Sequence, residues 1–110
     1  MPKYMSQFSY STASIKGMVQ HPQDRRAAAQ KIFAAAGGEI EAMYFTFGEY
    51  DGVVITDFPD DVAAASAVMA VGASGAFSDI KTTILMTMED AVSAMKGANK
   101  IVTHYAPPSE

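Results

Sequence analysis

The stretch EIEAMYFTFGEYDGVVITDF, Glu39 to Phe58, decides the fold. Its first nine residues, Glu39 to Phe47, favour a strand, and Val53 to Phe58 is a second run rich in β-branched side chains. Between them lies Gly48-Glu49-Tyr50-Asp51-Gly52, a glycine-bearing connection so short that the two runs must pair as an antiparallel hairpin. Pro59-Asp60-Asp61 ends the second strand and opens a helix, one aspartate serving as N-cap and the next placing its charge in the first turn. That helix runs to about Val71.

Working outward, residues 3–10 alternate, with Tyr4, Ser6, Phe8 and Tyr10 on one face and Met5, Gln7 and Ser9 on the other. Ser11, Thr12 and Ser14 offer oxygens that cap a short turn through Ile15 to Val19. Pro22 is expected at the first position of a helix that runs to Ala36 and stops at Gly37-Gly38. On the other side, Phe77 to Met86 alternates as a fourth strand, and Thr87-Met88-Glu89-Asp90 carries a capping signature before a last helix. Gly97 and Asn99 blur the end of that helix, and Ala106 to Glu110 reads as an extended tail. The order β-α-β-β-α-β plus a terminal helix is the split βαβ arrangement of an α+β, ferredoxin-like fold. One domain over residues 1–105, with a tail over 106–110, is the expected organisation.

Composition narrows the function classes. A chain of 110 residues is too short for two independent cores, and 49% hydrophobic with 18% charged residues suits a folded domain. No cysteine is present, so disulfides and thiolate chemistry are excluded, and a reducing, cytoplasmic setting is expected. A net charge of −4 has the wrong sign for nucleic acid or an anionic membrane surface. The start of the chain lacks the apolar run of a signal peptide, and Val62 to Phe77 is too short and too interrupted to cross a bilayer. Neither His21 nor His104 has a companion at metal-binding spacing, and the glycines do not form a phosphate or dinucleotide loop. No metal and no cofactor are expected.

A single layer of helices covers one face of a four-stranded sheet and leaves the other open. Neither side-chain set of the central strands is hydrophilic: Ala42, Tyr44, Thr46 oppose Met43, Phe45, Phe47, and Val53, Ile55 oppose Val54, Thr56, Phe58. The uncovered face is therefore expected to be apolar, mixed with hydroxyls and aromatics. A second copy is the economical cover, giving a homodimer or a higher homo-oligomer packed sheet to sheet.

The run Tyr44-Phe45-Thr46-Phe47-Gly48-Glu49-Tyr50-Asp51-Gly52-Val53-Val54-Ile55, continued through Pro59-Asp60-Asp61, resembles the GYD domain family, with Gly48, Tyr50 and Asp51 as the signature. The opening strand, the Ile15-Lys16 turn, the Gly37-Gly38 stop and the strand through Thr82, Thr83 and Leu85 follow in the family's order, so the likeness spans roughly residues 3–95. It implies a ferredoxin-like domain of the dimeric α+β barrel type, whose relatives include cofactor-free monooxygenases, isomerases and haem-binding proteins. Ala73-Ser74-Gly75 and the long tail after Lys96 depart from that pattern.

Few residues carry chemistry. Asp51 either holds backbone donors at the hairpin or, at a cavity mouth, accepts a proton. His21, before Pro22, is a capping or surface group, or else a proton shuttle or axial haem ligand, being one of two side chains of a type whose unperturbed pKa lies near neutrality. These two are the catalytic candidates. Tyr4, Tyr10, Tyr44 and Tyr50 are the ligand-binding candidates, directing hydroxyls into a pocket between sheet and helices. Methionines such as Met5, Met18, Met43, Met69 and Met86 read as plain core. Two functions stay open: binding of a small apolar or aromatic metabolite, with cofactor-free oxygenation or isomerisation at the same cavity, or a non-enzymatic assembly module. Alanine-rich helices are expected to sit close to the sheet and leave little room, which favours assembly.

Overall fold

The computed structural model describes residues 1–108. Strand β1 (Lys3–Tyr10) leads into α1 (Thr12–Gln20) and α2 (Arg26–Ala35), then β2 (Glu39–Phe45), β3 (Gly52–Asp57), α3 (Asp61–Ala73), β4 (Phe77–Leu85) and α4 (Met88–Ile101). A 3-10 turn, Val102–His104, follows. The four strands form one antiparallel sheet in the order β2-β3-β1-β4, which is the ferredoxin-like arrangement. The tail expected over 106–110 falls partly on Ser109 and Glu110, outside the described residues.

Burial alternates with a period of two along the central strands, so Tyr4, Ser6 and Phe8 of β1 and Val54 and Thr56 of β3 point at the helices. Phe33 of α2, Ala64 and Ala67 of α3, and Phe58 just past β3 close the core over them. Phe58, only 2% exposed, meets Tyr4 and Phe33 edge to face, at ring-centroid distances of 5.9 and 5.7 Å. Asp60 caps α3 by accepting from the Ala63 N–H at 2.8 Å, as the sequence led us to expect. Gly75, at φ +77°, turns the chain from α3 into β4 through a left-handed conformation that a side chain would strain.

Other ends shift by one or two residues, but three departures from the sequence reading have a local reason. The turn after β1 is a nine-residue helix, α1, capped by the Ser11 hydroxyl on the Ser14 N–H at 3.1 Å. Pro22 does not open α2: His21 closes α1 by donating its N–H to the Gly17 carbonyl at 2.9 Å, and the chain stays outside any helix until Arg26. Asp24 takes the starting role, accepting from the Arg26 N–H at 2.8 Å and pairing with its guanidinium at 2.9 Å. Strand β2 ends at Phe45 instead of Phe47, because the Thr46 N–H turns inward to the Asp51 carbonyl at 2.8 Å. Phe47 is left fully exposed on the loop.

Gly52 marks a close approach that only glycine permits. It faces Phe8 across the β1–β3 ladder, and a Cβ there would lie 2.3 Å from the Phe8 ring. Because Phe8 is itself held by Tyr10 and Phe77 at 5.5 and 5.4 Å, the ring cannot swing away freely. Gly52→Ala is expected to cost roughly 1–3 kcal/mol by overpacking. At fixed protein concentration the melting temperature should fall by at least about 4 °C. An unchanged melting curve would mean that the ring has room to move.

The face opposite the helices carries Met5, Val53, Ile55, Ala42, Tyr44 and Leu85, with Gln7, Lys81 and Thr83 between. Lys3 sits at its end, paired with Asp57 at 2.8 Å and with Glu41 at 3.0 Å. Helix α4 stands off the body. The Cα radius of gyration is 18.0 Å and the long axis 59 Å, whereas a compact chain of this length has a radius near ~13 Å. Met88, Val92 and Met95 form one stripe of α4 and are exposed, while Glu89, Asp90, Lys96 and Lys100 occupy the other side.

Candidate functional site

The helices do not seal the sheet. α1, α2 and α3 enclose a cleft of about 530 Å³ over β1 and β4. Its floor is Phe8, Tyr10, Phe77 and Ile80 on the strands, and its walls include Ala28 and Ala29 of α2 and Val71 of α3. The alanines thus act opposite to the expectation of close approach. Short side chains leave volume above the sheet because α2 lies over β2 and α3 over β4, so the space between the helices is left to small residues. Tyr10 and Phe77 stack at 4.9 Å, giving the floor a flat aromatic surface.

Several polar groups come from one segment of chain. His21, Gln23 and Arg25, from the segment between α1 and α2, join Ser14 in lining the cleft. Arg25 donates from Nη1 to the Gln23 side-chain oxygen at 2.8 Å, and Gln23 in turn donates to the His21 carbonyl at 3.1 Å. The Arg25 guanidinium was missed from sequence. Its signal is the pair Arg25-Arg26, of which Asp24 neutralises only Arg26. Burial raises the Tyr10 phenol above its ordinary pKa, the nearby Arg25 charge pulls it down, and Asp51 adds to the rise. Tyr10 therefore stays a neutral hydroxyl at physiological pH.

Of the six residues singled out from sequence, Tyr10 and His21 line the cleft. The other four lie elsewhere. Asp51 braces the hairpin against the end of β1: its Oδ2 accepts from the Tyr10 N–H at 2.9 Å, and its own N–H donates to the Phe8 carbonyl at 2.8 Å. These bonds carry on the β1 ladder past the point where strand pairing with β3 stops at Gly52. Tyr50 is half-buried in the same loop, its carbonyl accepting from the Thr46 hydroxyl. Tyr44 is exposed on the open sheet face. Tyr4 is buried at the opposite end of β1, where its hydroxyl donates to the Asp61 carboxylate. That bond pushes the Tyr4 pKa up to about 12, so the tie between β1 and α3 persists through neutral pH and is lost only as pH rises from 10 through 12.

Among the described residues no group of three or more His, Cys, Asp or Glu side chains could hold a metal ion, and no helix is long and apolar enough to cross a membrane.

Residues 4–95 match the family described as GYD domain. No curated protein matches the sequence. Solved structures of similar fold include FFRP-DM1, 14% identical with a TM-score of 0.55, covering 78% of this chain and 100% of that one. TTHA0845 from Thermus thermophilus is 16% identical with a TM-score of 0.53, covering 79% and 95%. The transcriptional regulator NMB0573 from Neisseria meningitidis, solved as a complex with L-Met, is 16% identical with a TM-score of 0.50. The likeness covers 79% of this chain and 51% of the regulator, about half of its length.

Proposed function

The chain belongs to the GYD domain family, and we propose that it is a small-molecule-binding domain that works as a homodimer. A compact apolar or aromatic metabolite occupies the cleft between α2 and α3, and two copies join through the open face of the sheet. The cleft carries this reading. At about 530 Å³, with an aromatic floor, alanine walls and a few polar lining groups, it has the size and lining of a ligand pocket. That a regulator of similar fold was solved with L-Met, an amino acid with an apolar side chain, is in keeping with it. Proton transfer in this cleft would run through His21 or Tyr10, since the Asp51 carboxylate is engaged at the hairpin.

Area supports the dimer. Four strands of six to nine residues present a flat footprint of roughly 450 Å², which alone lies within what soluble monomers expose. The apolar stripe of α4 adds roughly 200 Å², a 14-residue helix being ~21 Å long. Once side-chain relief is counted, the combined surface approaches the ~800 Å² per partner of a stable interface. The two surfaces are joined by only Met86 and Thr87, so one partner covers both.

Filling the cleft tests the binding reading. In a thermal-shift screen of small aromatic and branched-chain metabolites at millimolar concentration, at least one should raise the melting temperature of the wild-type chain. Ala28→Phe, at an exposed wall position, should abolish that shift while leaving the unliganded melting temperature within a few degrees. A screen without hits, or hits indifferent to Ala28→Phe, would contradict it.

A further inference from the structure

The cleft has a charge preference. Among its described lining residues Arg25 is the one permanently charged side chain, and no aspartate or glutamate is present. That stands out in a chain with 12 acidic and 8 basic residues. The neighbouring Arg26 is neutralised by Asp24 at 2.9 Å, and Lys3 is paired with two carboxylates, but among the described residues Arg25 makes no ion pair. Its hydrogen bond to Gln23 uses one of the guanidinium's five N–H donors. His21 and Ser14 also line the cleft, and its floor is apolar: Phe8, Phe77 and Ile80.

A cation beside a flat apolar floor fits a molecule divided in the same way. We propose that the ligand is a small carboxylic acid with an aromatic or branched apolar body. The carboxylate lies against Arg25, where a planar fork of donors matches its two oxygens, and the body rests on Tyr10, Phe77 and Phe8. This rests on the reading of the cleft as the ligand site. A neutral isostere fills the same volume but leaves the guanidinium without a counter-charge as the apolar body displaces water, so the preference for the acid is electrostatic and sensitive to salt.

Matched probes test it: 3-phenylpropanoate against 3-phenylpropanamide, and 4-methylpentanoate against its amide, titrated calorimetrically into the full chain at pH 7. In wild type at least one acid should bind tenfold or more tightly than its amide, and raising salt from 50 to 500 mM should narrow the gap. Arg25→Gln should bring that acid and its amide within about threefold of each other, chiefly by weakening the acid, and Arg25→Lys should restore part of the preference. A variant damaged in fold would lose acid and amide alike, so the amide reports on the structure of the cleft. Equal binding of acid and amide to wild type, or a preference that Arg25→Gln leaves intact, would overturn the charge assignment and leave the cleft as a ligand site. No binding by any of the four probes would count against both readings.

Discussion

Phe58→Ala should remove about 3–5 kcal/mol of stability, the cost of emptying a fully buried aromatic site that cannot collapse. Phe58 is 2% exposed, meets the rings of Tyr4 and Phe33 edge to face, and lies so close to Gly38 that a Cβ there would come within 2.5 Å of it. It is the point where β1, α2 and the end of β3 meet, so loosening it weakens the hold of the helix layer on the sheet. Against a total of about 5–15 kcal/mol for a domain of this kind, the loss is a large fraction. Urea denaturation at fixed protein concentration should show the midpoint falling with little change in slope, and Phe58→Leu should recover a good part of the loss. A loss below about 1 kcal/mol would place the core elsewhere.

On the proposed sheet-to-sheet docking, Ile55→Glu should leave single chains without unfolding them. Ile55 lies on β3 between Met5 of β1 and Ala42 of β2, in the middle of the open face and away from the helix-side core. A carboxylate there would be buried unpaired in each half of a sheet-to-sheet interface, at a cost of several kcal/mol, so the dissociation constant should rise by about a thousandfold or more. Light scattering after size exclusion should give about twice 11.7 kDa for wild type and the single-chain mass for the variant, with unchanged circular dichroism. Met95→Glu on α4 should act in the same direction, more weakly. Wild type running as a single chain at tens of micromolar would remove sheet-to-sheet docking from the account.

The fold was legible because its signals are local and repeated. Alternation along residues 3–10, the glycine-bearing link at 48–52 and the Asp60 cap each report on a few adjacent residues, and the pairing order follows from the succession of elements. Where the reading missed, a particular hydrogen bond decided the outcome. Thr46 leaves β2 because Asp51 offers it a carbonyl, and α2 waits for Arg26 because Asp24, and not Pro22, organises its first turn. The site was harder to read, because it depends on how elements distant in sequence come together. Tyr4 and Tyr10 share one face of one strand, yet α3 buries the first against Asp61 while the second lies on the cleft floor. Arg25 carries no motif, and its proposed role rests on the ion pair it does not make among the described residues, Asp24 being taken by Arg26. Residue counts along the chain cannot show that. Nor can they show that alanines open a cavity, since the same small side chain permits close packing where helices meet and leaves a void where they diverge.

The proposed ligand site is the space between α2 and α3, apart from the surfaces proposed for self-association. Backbone amide shifts of the isotopically labelled chain, followed by NMR during titration with 3-phenylpropanoate, test this directly. The largest changes should fall on Tyr10, His21, Arg25, Ala29 and Phe77, with Met5, Ile55 and Met95 nearly unmoved. Changes concentrated on the open sheet face or on α4, with the cleft silent, would contradict it.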